Sequence, residues 1–239
     1  MSADEHVRLW LGWRAHHLAG AGAGWQNFTK SLATTFIPVT WEIMTRFGLR
    51  TYVPSVFSAA EGAGPPEEIA LLCYRTRADY DASKATVLGR AYGAMHRAVF
   101  EFEIAGRKSR ADWAAAHGAR GPVLRSAADG GVRFDDAAAV VHVLLLSSPG
   151  GRLATPALLG ALTTQPGSVA VWCESGFAAV WIAAPSAQDM SVFSDPVLQA
   201  VPHAVVTAFH CAQPAPPIDQ TFGLPVVEQH SWQFMADSA

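Results

Sequence analysis

Apolar and polar positions along this chain alternate with two periods, and their order predicts its architecture. "VRLWLGWR" (7–14) sets aromatic and aliphatic side chains on both faces of an extended segment, the pattern of a strand buried on two sides. From Trp25 to Phe47 the period is helical, with Phe28, Leu32 and Phe36 four residues apart on one face. Pro38 has no amide proton to give a helix interior, so a kink or break is expected near Ile37, and Gly48 follows as the residue that ends the helix. "LRTYVPSVFS" (49–58) is extended, and its Pro54 suits an edge or bulged strand. "EIALLCYRT" (68–76) is a third strand, and Asp79 or Asp81 can cap a second helix running to about Tyr92. "HRAVFEFEI" (96–104) reads as a fourth strand, which completes a βαββαβ unit.

Residues 105–137 are rich in Gly, Ala and Arg and weakly periodic, as expected of a connector with one short helix around Trp113. The order then starts again. A strand (139–147), a helix (155–164), a strand pair around Ser175-Gly176 (168–174 and 177–184), a helix holding Pro196 (186–201) and a closing strand (203–212) form βαββαβ a second time. In both copies a histidine leads the last strand, His96 in "AMHRAVFEF" and His203 in "VPHAVVTAF", which points to an internal duplication. The expected organisation is a first, site-bearing repeat (1–104), a connector (105–137), a mainly structural second repeat (138–213) and a tail (214–239). That tail carries Phe222, Leu224, Val226, Trp232 and Phe234, enough apolar surface to pack on the domain or on a partner, with a homodimer expected.

Two ferredoxin-like halves, each with a histidine leading its last strand, resemble the dimeric α/β-barrel superfamily. The resemblance implies an α+β fold in which two tandem repeats pack their sheets into an α/β barrel. It also implies a choice of activities: antibiotic-biosynthesis monooxygenases, polyketide cyclases, lactone isomerases and haem proteins share that plan, so the fold leaves function open.

Half the residues are hydrophobic and 15% are charged, which excludes a disordered chain. A net charge of -3 gives no footprint for nucleic acid, and the Arg107-Lys108-Ser109-Arg110 cluster reads as a solvated linker. Cys73, Cys173 and Cys211 lie far apart in apolar runs, as buried thiols do. The opening "MSADEHVR" lacks the regions of a signal peptide, and no apolar run reaches the roughly 18 residues of a membrane span, so a cytoplasmic location without a membrane partner is expected.

Candidate chemistry concentrates in the first half. Gly20, Gly22 and Gly24 do not complete a dinucleotide fingerprint: Trp25 stands where the third glycine belongs, and Glu42, the nearest downstream acid, lies inside a helix. These glycines suit a flexible connection at the border of a cavity. His16 and His17 are adjacent, hence on opposite faces of an extended chain, and no metal-ligand spacing occurs, so no metal is expected. His96 is the sharper candidate: facing an apolar cavity its imidazole can act as general base, whereas a structural histidine would bond a loop carbonyl. Arg14 and Arg75 are expected to converge, so that Arg75, with Asn27, stabilises an enolate or phenolate, although Asn27 also suits the N-cap of the first helix. Trp13, Trp25, Trp41, Tyr80, Tyr92 and Arg14 are the candidate substrate-binding residues.

The expected function is a cofactor-independent enzyme of the monooxygenase, cyclase or isomerase type, acting on a small hydrophobic or aromatic, natural-product-like molecule. His96, or else His16 or His17, would withdraw the proton. One alternative, again from the resemblance, is a haem protein with His96 or His203 as axial ligand. A binding or assembly protein without catalysis is the other. Enclosed apolar volume of roughly 300 Å³ in the first half, with His96 or Arg75 open to it, separates ligand chemistry from a packed interior.

Overall fold

The computed structural model describes residues 6–18, 24–56, 66–101, 111–112, 121–137, 139–147, 155–173, 177–186 and 203–210. The chain divides into two units, whose described residues fall between 6 and 101 and between 111 and 210. Both are α+β, with antiparallel pairing dominant in each sheet.

In the first unit, β1 (His6–Gly12), β2 (Leu49–Val56) and β3 (Glu68–Tyr74) form a sheet in the order β1-β3-β2, antiparallel throughout. Pro54 lies on the edge strand β2, where its missing N–H breaks no ladder on the outer side. One helical run spans 24–45 in three parts: α1 (Gly24–Ser31), a π-helical turn (Leu32–Phe36) and α2 (Ile37–Thr45). The interruption falls where Pro38 predicts it. The Ile37 N–H donates to the Leu32 carbonyl, five residues back, and Pro38 occupies the first turn of α2, where no donor is needed. A strict spacing of four drifts about 40° per step in a regular α-helix. The wider π turn absorbs that drift, so Phe28, Leu32, Phe36, Thr40 and Met44 are all buried along the run. Gly48, at φ +78°, closes the turn into β2, and its carbonyl accepts from the Arg75 N–H at 2.8 Å.

Three expectations for this unit are corrected. The helix after β3 begins at Arg77, not at a capping aspartate: Thr76 is the N-cap of α3 (Arg77–Ala85), its hydroxyl accepting from the Asp79 N–H at 3.1 Å. Thr86 then caps a separate helix, α4 (Val87–Val99). His96 therefore sits in a helix and does not lead a strand. The run around it fits both periods, and the helical one wins because Tyr92, His96 and Val99 form a stripe at i, i+4 and i+7 that closes on the sheet side. Extended structure begins only at Phe100, which bridges Arg14 on the far side of β1; the Glu101 N–H donates to the Trp13 carbonyl at 2.8 Å. Residues 102–104 of the expected strand lie outside the described residues.

In the second unit the sheet order is β4-β5-β7-β8-β6-β9, built from β4 (Ala111–Asp112), β5 (Gly121–Arg125), β6 (Val140–Ser147), β7 (Val169–Cys173), β8 (Phe177–Ala184) and β9 (His203–His210), with α5 (Thr155–Leu162) following β6. Within this sheet β7-β8-β6-β9 are neighbours in that order, and in the first unit β2-β3-β1 are neighbours with Phe100 bridging Arg14 beyond β1; among the described residues neither sheet closes into the expected barrel. The stretch expected as a connector contributes β4 and β5, which extend this sheet beside β7. Its Gly and Arg content hid them; Arg125, at the end of β5, reaches the Gly167 carbonyl at 3.0 Å and also the carbonyls of Leu162 and Gln165, satisfying the last turn of α5. The core here is aliphatic, with Val123, Leu144, Leu146, Leu159, Val171 and Val180 at its centre. Cys73 and Cys173 are buried free thiols, as expected. Trp113, Cys211 and the tail 214–239 lie outside the described residues. Among those described, no helix is long and apolar enough to cross a membrane.

Candidate active site

Alternation along β3 sets the site. Glu68, Ala70, Leu72 and Tyr74 share one face, and the antiparallel register places Gly12, Trp10, Arg8 and His6 of β1 opposite them in turn. Tyr52 of β2 stands beside Leu72. The helices cover this face with Phe36 and Met44, with Tyr80, Ser83 and Lys84 of α3, and with Arg90, Tyr92, Gly93 and His96 of α4. Between sheet and helices lies a cavity of about 310 Å³.

Its interior is aromatic with two titratable groups of interest. His96 is buried, with the Trp10 and Phe36 rings each 4.9 Å away and the Tyr92 ring 4.8 Å away, all edge-to-face. Its Nδ1 lies 3.1 Å from the Tyr92 carbonyl. A carbonyl only accepts, so in the neutral ring the proton is on Nδ1 and the lone pair on Nε2. Tyr92 is positioned in turn by Thr40: the threonine hydroxyl is 2.7 Å from the Phe36 carbonyl and 3.1 Å from the Tyr92 hydroxyl, donating to the first and accepting from the second.

The second group is Glu68, which sequence reasoning missed. It is fully buried, and neither carboxylate oxygen has a hydrogen-bond partner. Desolvation raises its pKa to about 8. The Trp10 indole N–H points near enough to offset part of that rise, without reaching hydrogen-bond geometry, and is itself unpartnered. Gly12, directly across from Glu68, makes room at this end: a Cβ there would lie 2.4 Å from the Phe100 ring and 2.9 Å from Trp10 Nε1. The neighbouring Glu67 behaves in the ordinary way, accepting from the Arg14 N–H at 2.8 Å and pairing with its guanidinium at 3.1 Å. The signal was legible: an acid in phase with Ala70, Leu72 and Tyr74 belongs to the helix-facing side of the strand.

Of the residues singled out from sequence, His96, Tyr80 and Tyr92 line the cavity. The others do not. Arg14 and Arg75 fail to converge because β1 and β3 are antiparallel, so the end of β1 meets the start of β3 and Arg75 leaves from the opposite end. Arg75 is exposed and bidentate on Asp79, at 2.9 Å for both bonds, and this pairing holds the Asp79 carboxyl down at about 2. Asn27 is an exposed residue inside α1 and not its N-cap. His16 and His17 are exposed on a short 3₁₀ turn, His16 at 3.6 Å from Glu101 and His17 at 3.1 Å from the Ala98 carbonyl. Trp13 is half-buried away from the cavity, Trp25 packs on Phe28, and Trp41 stacks on Tyr52 behind the wall. Gly20 and Gly22 lie outside the described residues, as does the side chain of His203.

Among the described residues no cluster of His, Cys, Asp and Glu could hold a metal ion. Haem does not fit around His96 either: three aromatic rings within 4.9 Å pack edge-on against the imidazole and leave no flat slot beside it for a porphyrin.

No known protein-family model matches the chain, and no curated protein sequence does. Solved structures with a similar course include a "putative monooxygenase" of Fusobacterium nucleatum, at 5% identity and a TM-score of 0.37, covering 89% of this chain and 93% of that one. Another is a "putative monooxygenase" of Lactobacillus acidophilus (6% identity, TM-score 0.33, 84% and 90% covered). An "anthrone oxidase-like protein" is a third (10% identity, TM-score 0.30, 84% and 87% covered).

Proposed function

We propose that the first unit is a small-molecule enzyme whose chemistry is proton transfer to and from a hydrophobic or aromatic substrate held between the sheet and α4. The observation that carries this reading is Glu68. An unpaired carboxyl group buried at one end of a cavity destabilises the fold, and groups of that kind cluster where their perturbed acidity is used. With a pKa near 8 it is mostly protonated at neutral pH, close enough to give or take a proton without a large driving force against it. Trp10, whose ring packs edge-on against His96, and the His96 imidazole supply other polar groups of the lining.

Removing a proton from a phenol or from carbon beside a carbonyl leaves a phenolate or enolate. An isomerase returns the proton to another carbon, a cyclase directs the carbanion to a carbonyl in the same molecule, and a cofactor-independent monooxygenase hands the electrons to O₂. These three outcomes share the first step, and the residues here address that step. We further read the two units as copies of one ferredoxin-like plan, which their strand orders support.

The test is incubation with a panel of polycyclic phenols and cyclic ketones in D₂O, followed by mass spectrometry. Deuterium gain reports reversible proton abstraction, and a gain of oxygen reports the third outcome. We expect at least one class to exchange faster than in buffer, and Glu68→Gln to slow it by about 10²-fold or more. Exchange no faster than buffer across the panel, or full rates in both Glu68→Gln and His96→Phe, contradicts the reading.

A further inference from the structure

The cavity is electrically polarised along β3. Glu68 is the sole carboxylate of the lining among the described residues, and it lies at the buried end beside Gly12. At the other end, where the lining is exposed, stand three cations: Arg8 of β1, Lys84 of α3 and Arg90 of α4. The Arg8 guanidinium and the Lys84 ammonium each lie 4.2 Å from the centroid of the Tyr80 ring, which holds them at the opening. Their ordinary partners are few. Lys84 reaches Asp81 at 2.6 Å and Arg90 donates to the Ala85 carbonyl at 2.7 Å, while Arg8 has no carboxylate partner among the described residues. Three cations around one opening, of which only Lys84 has a carboxylate partner among the described residues, give it a positive potential that attracts an anion.

Taking the cavity as a substrate site, as proposed above, we infer that its substrate is elongated and amphipathic, with an anionic group, such as a carboxylate or sulfonate, at the Arg8–Lys84–Arg90 opening and an uncharged hydrogen-bonding group at Glu68. The strand itself measures the molecule. Arg8 faces Leu72 and Gly12 faces Glu68, four residues apart, which is about 13 Å at the rise of a strand. A single ring does not span that length, whereas a polycyclic or aryl-extended acid does. The far end must be uncharged because a second anion there would sit beside a carboxyl group with no cation to offset it.

The test uses two dyes on one aryl frame, 1-anilinonaphthalene-8-sulfonate and its uncharged parent N-phenyl-1-naphthylamine, titrated by fluorescence into the full chain. In Arg8→Gln the sulfonate dye is expected to bind about tenfold more weakly, with the parent unchanged. Lys84→Gln, which gives up only an exposed ion pair with Asp81 and a contact with the Tyr80 ring, should weaken the sulfonate dye in the same selective way. If both variants leave the ratio of the two affinities at its wild-type value, the inference about the anionic end is overturned while the cavity reading stands. If neither dye binds wild-type protein, the cavity reading falls and the inference with it.

Discussion

Single residues decide whether this interior is a site or a core. Glu67 and Glu68 are chemically identical neighbours, yet the pleat turns one toward Arg14 and the other into a cavity without a partner. The same reasoning applies to Gly93. It lines the cavity from α4, and a Cβ there would meet nothing within 4 Å. Gly93→Leu should therefore project into the space without displacing backbone, and should gain helix stability of about 0.5–1 kcal/mol over glycine. Dye binding and turnover are expected to be lost in this variant while its melting temperature holds or rises. A variant that keeps wild-type affinity would show that ligands bind elsewhere.

At the scale of elements, the period of the sequence identified most helices and strands, and it failed where two periods fit the same residues. "AMHRAVFEF" alternates as a strand does, but Tyr92, His96 and Val99 also fall on one helical stripe, and packing against Phe36 and Trp10 selects the helix. The chain from Arg75 to Asp79 misled in another way, because an acid three residues after Thr76 belongs to the first turn of a helix that the threonine caps. The break at Pro38 was legible, and its form carries a prediction. A π turn accommodates one more residue than the α turn it replaces, and Thr34 and Thr35 are exposed within it. Deleting Thr34 should regularise the helix with Phe28 and Met44 still buried, leaving a cooperative thermal transition and an unchanged helical circular-dichroism signal. Loss of cooperativity would mean that the π turn itself is required for packing.

For the molecule as a whole, the α+β class could be read from the sequence, as could the strands β6 to β9 of the second unit, but not β4 and β5. The site could be read only in part. His96, Tyr80 and Tyr92 were found because aromatic and imidazole side chains draw notice, whereas Arg75 was assigned without the antiparallel register that sends it to the far end of β3, and Asn27 without the helix phase that leaves it exposed on α1. Opposing ionisations also shape overall stability. Asp79, held at about 2 by Arg75, stabilises the fold above the ordinary carboxylate pKa, and that contribution is lost as pH falls through 2. Glu68 has the opposite sign. Its folded pKa is raised, so the native state binds more protons than the unfolded chain between 4.5 and about 8, and stability falls as pH rises through that window.

The central claim, that Glu68 rests as a neutral, unpaired acid in a ligand cavity, is tested most directly by urea unfolding of wild-type protein and Glu68→Gln at a series of pH values from 5 to 8. Comparing the two removes every other titrating group that they share. The wild-type free energy of unfolding should fall relative to the variant by about 1.4 kcal/mol per pH unit across the middle of the window. Parallel curves with no relative slope would mean that Glu68 ionises as an ordinary carboxylate, and would contradict the account.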